Sequence, residues 1–216
     1  MKRIKTGLII FDLDGTLLDS MLDIANSVNA MRGRMGYEEL PLSAIYGLIG
    51  DGAHLLVQRA LPPETPEAER KQGLTYFLED YRRHMLDHTQ LFPGVLETLH
   101  ALQKKPLAVL TNKLTELTQI MLTKLAIIDY FRYVLGSDKF PRKKPDPMGV
   151  LYLLEATQAL PNETLMIGDT ANDILTGRRA GVLTCGVTYG IGGEKLRAAR
   201  PDFLIDDLRQ LLDINE

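Results

Sequence analysis

The chain has 216 residues, 45% apolar and 25% charged, with a formal net charge of −3 at pH 7. This balance describes an ordinary globular protein and argues against nucleic acid or a membrane surface as a partner recognised by bulk charge. At this length one large domain, or one carrying an insertion, is expected, and the single cysteine, Cys185, excludes an internal disulfide and sits among apolar neighbours that suit a core position better than a nucleophile.

The segment Met1 to Phe11 begins basic and becomes apolar, but Asp12 ends it too early for a signal-peptide core, and no apolar run approaches membrane-spanning length. A cytoplasmic protein is expected. Leu8-Ile9-Ile10-Phe11 is an unbroken apolar run that suits a central strand covered on both faces. It stops at Asp12 and Asp14, which an extended backbone would point to the same side. Two carboxylates so close need a cation between them or a proton on one, unless the segment is only an Asp-Gly turn. Gly15 would let the backbone turn tightly there.

Beyond Leu17 the spacing becomes helical. Met21, Ile24, Ala25, Val28 and Met31 share one face of a helix ending near Gly33 to Gly36. Pro41-Leu42-Ser43 reads as a restart with Ser43 as N-cap, Leu55 to Ala60 as a further helix before Pro62-Pro63, and Pro66 to Leu86 as a third. The seventy or so residues between Asp19 and Leu91 thus read as helical without a strand. The expected division is a core of residues 1–18 and 91–216 with a helical insertion at 19–90.

From Val95 onward helices and strands alternate, which predicts an α/β fold with a parallel, Rossmann-like sheet flanked by helices. The helices fall at Val95 to Lys104, Thr115 to Leu125, Pro147 to Leu160 with Asp146 as N-cap, Ala171 to Ala180, and Leu208 to Leu212. The strands fall at Leu107 to Leu110, Tyr133 to Leu135, Thr164 to Ile167, Val182 to Val187 and Phe203 to Ile205.

Three apolar strands end in polar residues: Asp12 with Asp14, Thr111 with Asn112, and Gly168-Asp169. Ligands in open parallel sheets bind beyond the carboxyl ends of the strands. If these strands are neighbours, three carboxylates and a hydroxyl surround one crevice, with Lys144 as the missing positive charge. Each residue also has a plainer reading. Thr111 could cap the next helix, Lys144 and Lys143 could be solvated, and Asp173 stands three residues after Thr170, as in a capping box. His54, His84, His88 and His100 show no metal-ligand spacing and read as surface positions.

Asp12-Leu13-Asp14-Gly15-Thr16, Thr111-Asn112, Lys144-Pro145 and Gly168-Asp169-Thr170-Ala171-Asn172-Asp173, in this order, resemble the four motifs of the haloacid dehalogenase-like phosphatases. Asp19-Ser20 with Asp23, Gly50-Asp51-Gly52-Ala53, Phe92-Pro93-Gly94-Val95 and Thr188-Tyr189-Gly190 look most like bacterial phosphoglycolate phosphatases. The resemblance implies that the insertion is a small cap domain and that Asp12 is a nucleophile forming an aspartyl-phosphate. It implies Asp14 as general acid and base, and Thr111, Asn112 and Lys144 as binders of the phosphoryl group. A magnesium ion would be held by Asp12, the Asp14 carbonyl and Asp169, with Asp173 as ligand or cap. Asp12 should stay ionised at pH 7 without an activating partner. Gly50, Asp51 and Gly52 would present backbone N–H groups to a small anionic substrate, unless the glycines merely separate two helices.

The expected enzyme is a magnesium-dependent phosphatase, a monomer or homodimer, acting on a small phosphate ester such as 2-phosphoglycolate. The alternatives are a pyrophosphatase, a broad-range sugar phosphatase or phosphomutase of the same fold, and a non-catalytic phospho-receiver module. A receiver would lack the insertion, and the linker histidine usual in the mutases is not evident in Asp19 to Asp23.

Overall fold

A computed structural model describes residues 4–214 of the chain. In chain order the elements are β1 (Leu8–Phe11), β2 (Leu18–Asp19), α1 (Met21–Arg34), α2 (Leu42–Tyr46), α3 (Ala53–Ala60), α4 (Glu67–His84), β3 (Gln90–Leu91) and α5 (Val95–Leu102). There follow β4 (Leu107–Leu110), α6 (Thr115–Lys124), β5 (Tyr133–Leu135), α7 (Met148–Thr157), β6 (Thr164–Gly168), α8 (Ala171–Ala180), β7 (Leu183–Val187), α9 (Gly193–Ala198), β8 (Phe203–Ile205) and α10 (Leu211–Ile214). Among the described residues, no helix is long and apolar enough to cross a membrane.

The chain divides into two compact units, one of residues up to Leu18 and from Leu91 on, the other Asp19–Gln90. The first unit is built on a six-stranded sheet in the order β5-β4-β1-β6-β7-β8, every pairing parallel. β1 lies between β4 and β6, with Phe11 level with Val109 on one side and Ile167 on the other. The three strands that end in polar residues are therefore adjacent and end together.

The continuous apolar run of β1 reflects this central place, since all four of its side chains are at most 1% exposed. At about 1.5–3 kcal/mol for each large apolar side chain buried, the strand contributes roughly 6–12 kcal/mol before chain entropy is charged against it. Alternate residues serve alternate faces. Leu8 and Ile10 join Ala108, Leu110 and Met166 against Val150 and Leu153 of α7, whereas Phe11 meets Phe131 edge-on at 6.2 Å. Cys185 is fully buried in β7, where burial holds its thiol protonated.

In the second unit α1 packs along α4, with α2 against α1 and α3 against α4. Ile24, Val28 and Met31 of α1 and Phe77 and Tyr81 of α4 are buried, the last two with parallel rings 5.5 Å apart. Asp23, 1% exposed, accepts from the His88 and Thr89 backbone N–H groups, from the Thr89 hydroxyl at 2.8 Å, and pairs with His88 Nδ1 at 2.8 Å. Burial opposes its charge, but these donors outweigh burial and hold the carboxyl below its ordinary value.

The structure corrects several details of the sequence reading. The junctions of the 19–90 insertion are not strand-free: β2 and β3 pair with each other, but two residues each carry no periodicity. Pro41, extended at ψ 139°, is the N-cap of α2, so Ser43 lies inside the first turn. Pro147 is the N-cap of α7, although Asp146 Oδ1 still accepts from the Met148 N–H at 3.1 Å, and the helix stops at Thr157 because Gln158 is left-handed. Helix α9 has no counterpart in the sequence reading, and the last segment starts as a 3-10 turn, Leu208–Gln210.

Candidate active site

Backbone hydrogen bonds carry the ladder one step past β1: the Asp12 N–H donates to the Ile167 carbonyl at 2.8 Å. The chain then turns sharply, with the Leu13 carbonyl accepting from Thr16, Leu17 and Leu18. Gly15 makes this turn at φ +80°, and a side chain there would run into the Asp169 carboxylate. The turn separates the two carboxylates. Each carboxylate is paired with a lysine of its own.

Asp12 Oδ1 lies 2.8 Å from Lys144 Nζ, and Asp14 receives Lys113 Nζ on both oxygens at 2.8 Å. Lys113 is a residue the sequence reading missed, because a lysine in a loop after Thr111-Asn112 looks like any solvated charge. Its side chain is only 7% exposed.

Lys144 also donates to Asp173 Oδ1 at 2.6 Å, and is therefore a buried bridge and not a solvated charge. Burial alone would lower its pKa; Asp12 and Asp173 reverse that and keep the ammonium protonated. Asp173 serves two purposes at once. Its Oδ2 accepts from the Thr170 N–H at 3.0 Å and the Thr170 hydroxyl at 2.7 Å, completing the capping box of α8, while Oδ1 faces Lys144. Neighbouring Lys143 is half-buried, not fully solvated.

Asp169, fully buried past β6, accepts from the Thr16 hydroxyl at 3.3 Å on Oδ1 and from the Ile191 N–H at 2.9 Å on Oδ2. Thr111 is 4% exposed and does not cap α6, whose N-cap is Leu114. Its hydroxyl accepts from the Lys113 N–H at 3.3 Å. Asn112 donates to the Lys144 carbonyl at 3.1 Å, tying the end of β4 to the loop that carries the lysine. The Lys144-Pro145 bond is cis.

The donor set fits a divalent cation. One carboxylate oxygen from each of Asp12, Asp169 and Asp173 lies within 4.8 Å of the others. The Asp14 carboxylate is not in that group; the resemblance assigned a metal only its backbone carbonyl. Three buried carboxylates face a single ammonium, an imbalance that hard oxygen donors resolve with a cation. Burial pushes the Asp12 carboxyl up to about 7, Lys144 pulling against it and Asp173 adding to the rise. Burial, with Asp173 and Asp12, likewise raises Asp169. Asp12 thus sits against an ammonium, Lys144, which draws its carboxyl down against the effect of burial.

Gly50, Asp51 and Gly52 lie in the second unit, immediately before α3, where Asp51 pairs with Arg59 at 2.5 Å. The four histidines are exposed, and none belongs to the carboxylate group.

The sequence profile of a haloacid dehalogenase-like hydrolase family matches residues 9–187. A phosphoglycolate phosphatase of Vibrio vulnificus is 41% identical over 99% of this chain and 98% of its own length. One from Pseudomonas putida is 37% identical, covering 95% of this chain and 78% of its own. A crystal structure described as "a predicted phosphoglycolate phosphatase" from Haemophilus somnus superposes with a TM-score of 0.93 at 35% identity, over 97% of both chains.

Proposed function

The chain belongs to the haloacid dehalogenase-like hydrolases, and on that premise we propose that it is a magnesium-dependent phosphatase converting 2-phosphoglycolate to glycolate and phosphate through an aspartyl-phosphate on Asp12. The observation that carries this reading is the group formed past β1 by Asp12, Lys144, Asp169 and Asp173. The names of the relatives support the substrate.

The Asp12 carboxylate attacks phosphorus, the ester P–O bond breaks, and the departing alkoxide takes a proton from Asp14. Asp14 then takes a proton from water, whose oxygen attacks phosphorus and breaks the bond to Asp12. Lys144, fixed between Asp12 and Asp173, offsets the negative charge on the phosphoryl oxygens as transfer proceeds, and the Thr111 hydroxyl donates to one of them. Lys113, on both oxygens of Asp14, holds that side chain in place for the two proton transfers. Asp12, Asp169 and the Asp14 carbonyl, with Asp173 behind them, would hold a magnesium ion, which would supply charge neutralisation and orientation at the phosphoryl group. Residues 19–90 act as a cap that selects the substrate, with Gly50, Asp51 and Gly52 at its recognition loop. A cytoplasmic setting, as monomer or homodimer, completes the reading.

Acid quenching during turnover, followed by peptide mass spectrometry, tests the covalent step. The phosphoryl group should be found on Asp12 and be absent from an Asp12→Asn variant that turns over nothing. Turnover by that variant, or phosphate on another residue, would contradict it.

A further inference from the structure

The loop that follows β7 touches Asp169 on several sides. The Thr188 N–H donates to the Ile205 carbonyl at 2.9 Å and so fixes the start of the loop to the sheet. Three residues on, the Ile191 N–H holds Asp169 Oδ2 at 2.9 Å. Between them the Tyr189 hydroxyl donates to the Thr16 carbonyl at 2.8 Å, and the Thr16 hydroxyl in turn donates to Asp169 Oδ1 at 3.3 Å. Both oxygens of Asp169 are thus held from this loop, one directly and one through Thr16.

The loop comes so near that a Cβ at Gly190 would strike the Asp169 side chain and lie 2.5 Å from the Gly15 carbonyl oxygen, and one at Gly192 would strike the Asp169 carbonyl. Tyr189 is itself seated. Its ring lies 4.6 Å from that of Phe92, centroid to centroid, and the Phe92 N–H donates to the Leu17 carbonyl at 3.1 Å, next to Thr16.

We propose that Tyr189 is a positioning residue for metal binding: through the Thr16 carbonyl it fixes the turn whose hydroxyl, with the Ile191 N–H, sets the orientation of the Asp169 carboxylate. The physical reason is general. A buried carboxylate ligand binds a cation well only when its rotation is restrained by outer hydrogen bonds, and losing such bonds weakens metal affinity. The proposal rests on the reading of Asp169 as a metal ligand.

The test is binding of Mn2+, followed by the electron paramagnetic resonance signal of the free ion, for the wild type, Tyr189→Phe and Asp169→Asn. The phenylalanine keeps the ring against Phe92 and removes only the hydroxyl. Outer-shell losses of about 10–100-fold in metal affinity are usual, and Tyr189, one bond further out, should cost roughly 3–10-fold in Kd. KM for the phosphate ester at saturating metal should not change. A lowered thermal midpoint with a Kd within about twofold of wild type would assign Tyr189 a structural role only and overturn the proposal. If Asp169→Asn loses Mn2+ binding while Tyr189→Phe keeps it, the ligand reading stands and the proposal fails. If Asp169→Asn binds as wild type, the ligand reading fails and takes the proposal with it.

Discussion

Lys113 and Lys144 divide between them the two carboxylates that the first motif sets two residues apart. Lys144 is buried with Asp12 and Asp173, so its charge cannot be removed without stranding both. Lys113 holds Asp14 in a symmetric grip, with Nζ 2.8 Å from each carboxylate oxygen. Lys113→Met, which keeps the stem and deletes the ammonium, should lower kcat by about 10–100-fold, less than the roughly 100–10,000-fold expected for loss of a general acid itself, because Lys113 acts only through Asp14. Metal affinity should stay as it was, and aryl phosphates, with their better leaving groups, should suffer less than alkyl ones. Equal losses on both ester types would remove Lys113 from the proton-transfer step. Asp12 and Asp169 stood out in the sequence because a carboxylate that follows an apolar strand has few reasons to be there, whereas Lys144, in a basic loop, was marked only by the need for a positive charge beside them. Lys113 was not legible, since nothing about a loop lysine announces a partner ninety-nine positions away. The Ile191 contact was illegible in principle, because a backbone N–H carries no mark of residue type.

At the scale of elements, the network on Asp23 ties the first turn of α1 to the residues just before β3. The Asp23 carboxyl is held below its ordinary value of 3.8, so the folded state binds fewer protons than the unfolded one near that pH. Its contribution is therefore complete above the unfolded pKa and is lost as pH falls through the lower, folded one. Asp23→Asn should destabilise the second unit by about 1–3 kcal/mol at pH 7. The gap to wild type, measured by urea unfolding, should narrow below about pH 4. An equal gap at pH 7 and pH 3 would show that shape, not charge, is what the site needs. In the same unit, Gly52 stands at φ +81° before α3. Gly52→Val should raise KM for 2-phosphoglycolate far more than for p-nitrophenyl phosphate if this turn recognises the small anionic head; matching effects would leave it a helix start. The long helices and the fully buried strands could be read from periodicity. β2, β3 and α9 could not, being too short or too rich in glycine to show a period.

At the scale of the whole molecule, alternation of strand and helix implied a parallel sheet, and the strand order then brings β4, β1 and β6 side by side. That adjacency gathers residues from four distant stretches of chain, and no local pattern contains it; it was reachable only from several motifs taken together. The family membership of the chain accords with it. The central claim is a magnesium-dependent phosphatase centred on Asp12, and its most direct test is phosphate release from a panel of small phosphate esters and pyrophosphate, with magnesium and with a chelator, beside Asp12→Asn. The prediction is a clear preference in kcat/KM for 2-phosphoglycolate that disappears with the chelator and in the variant. Release from no member of the panel, or release that survives Asp12→Asn, would contradict it.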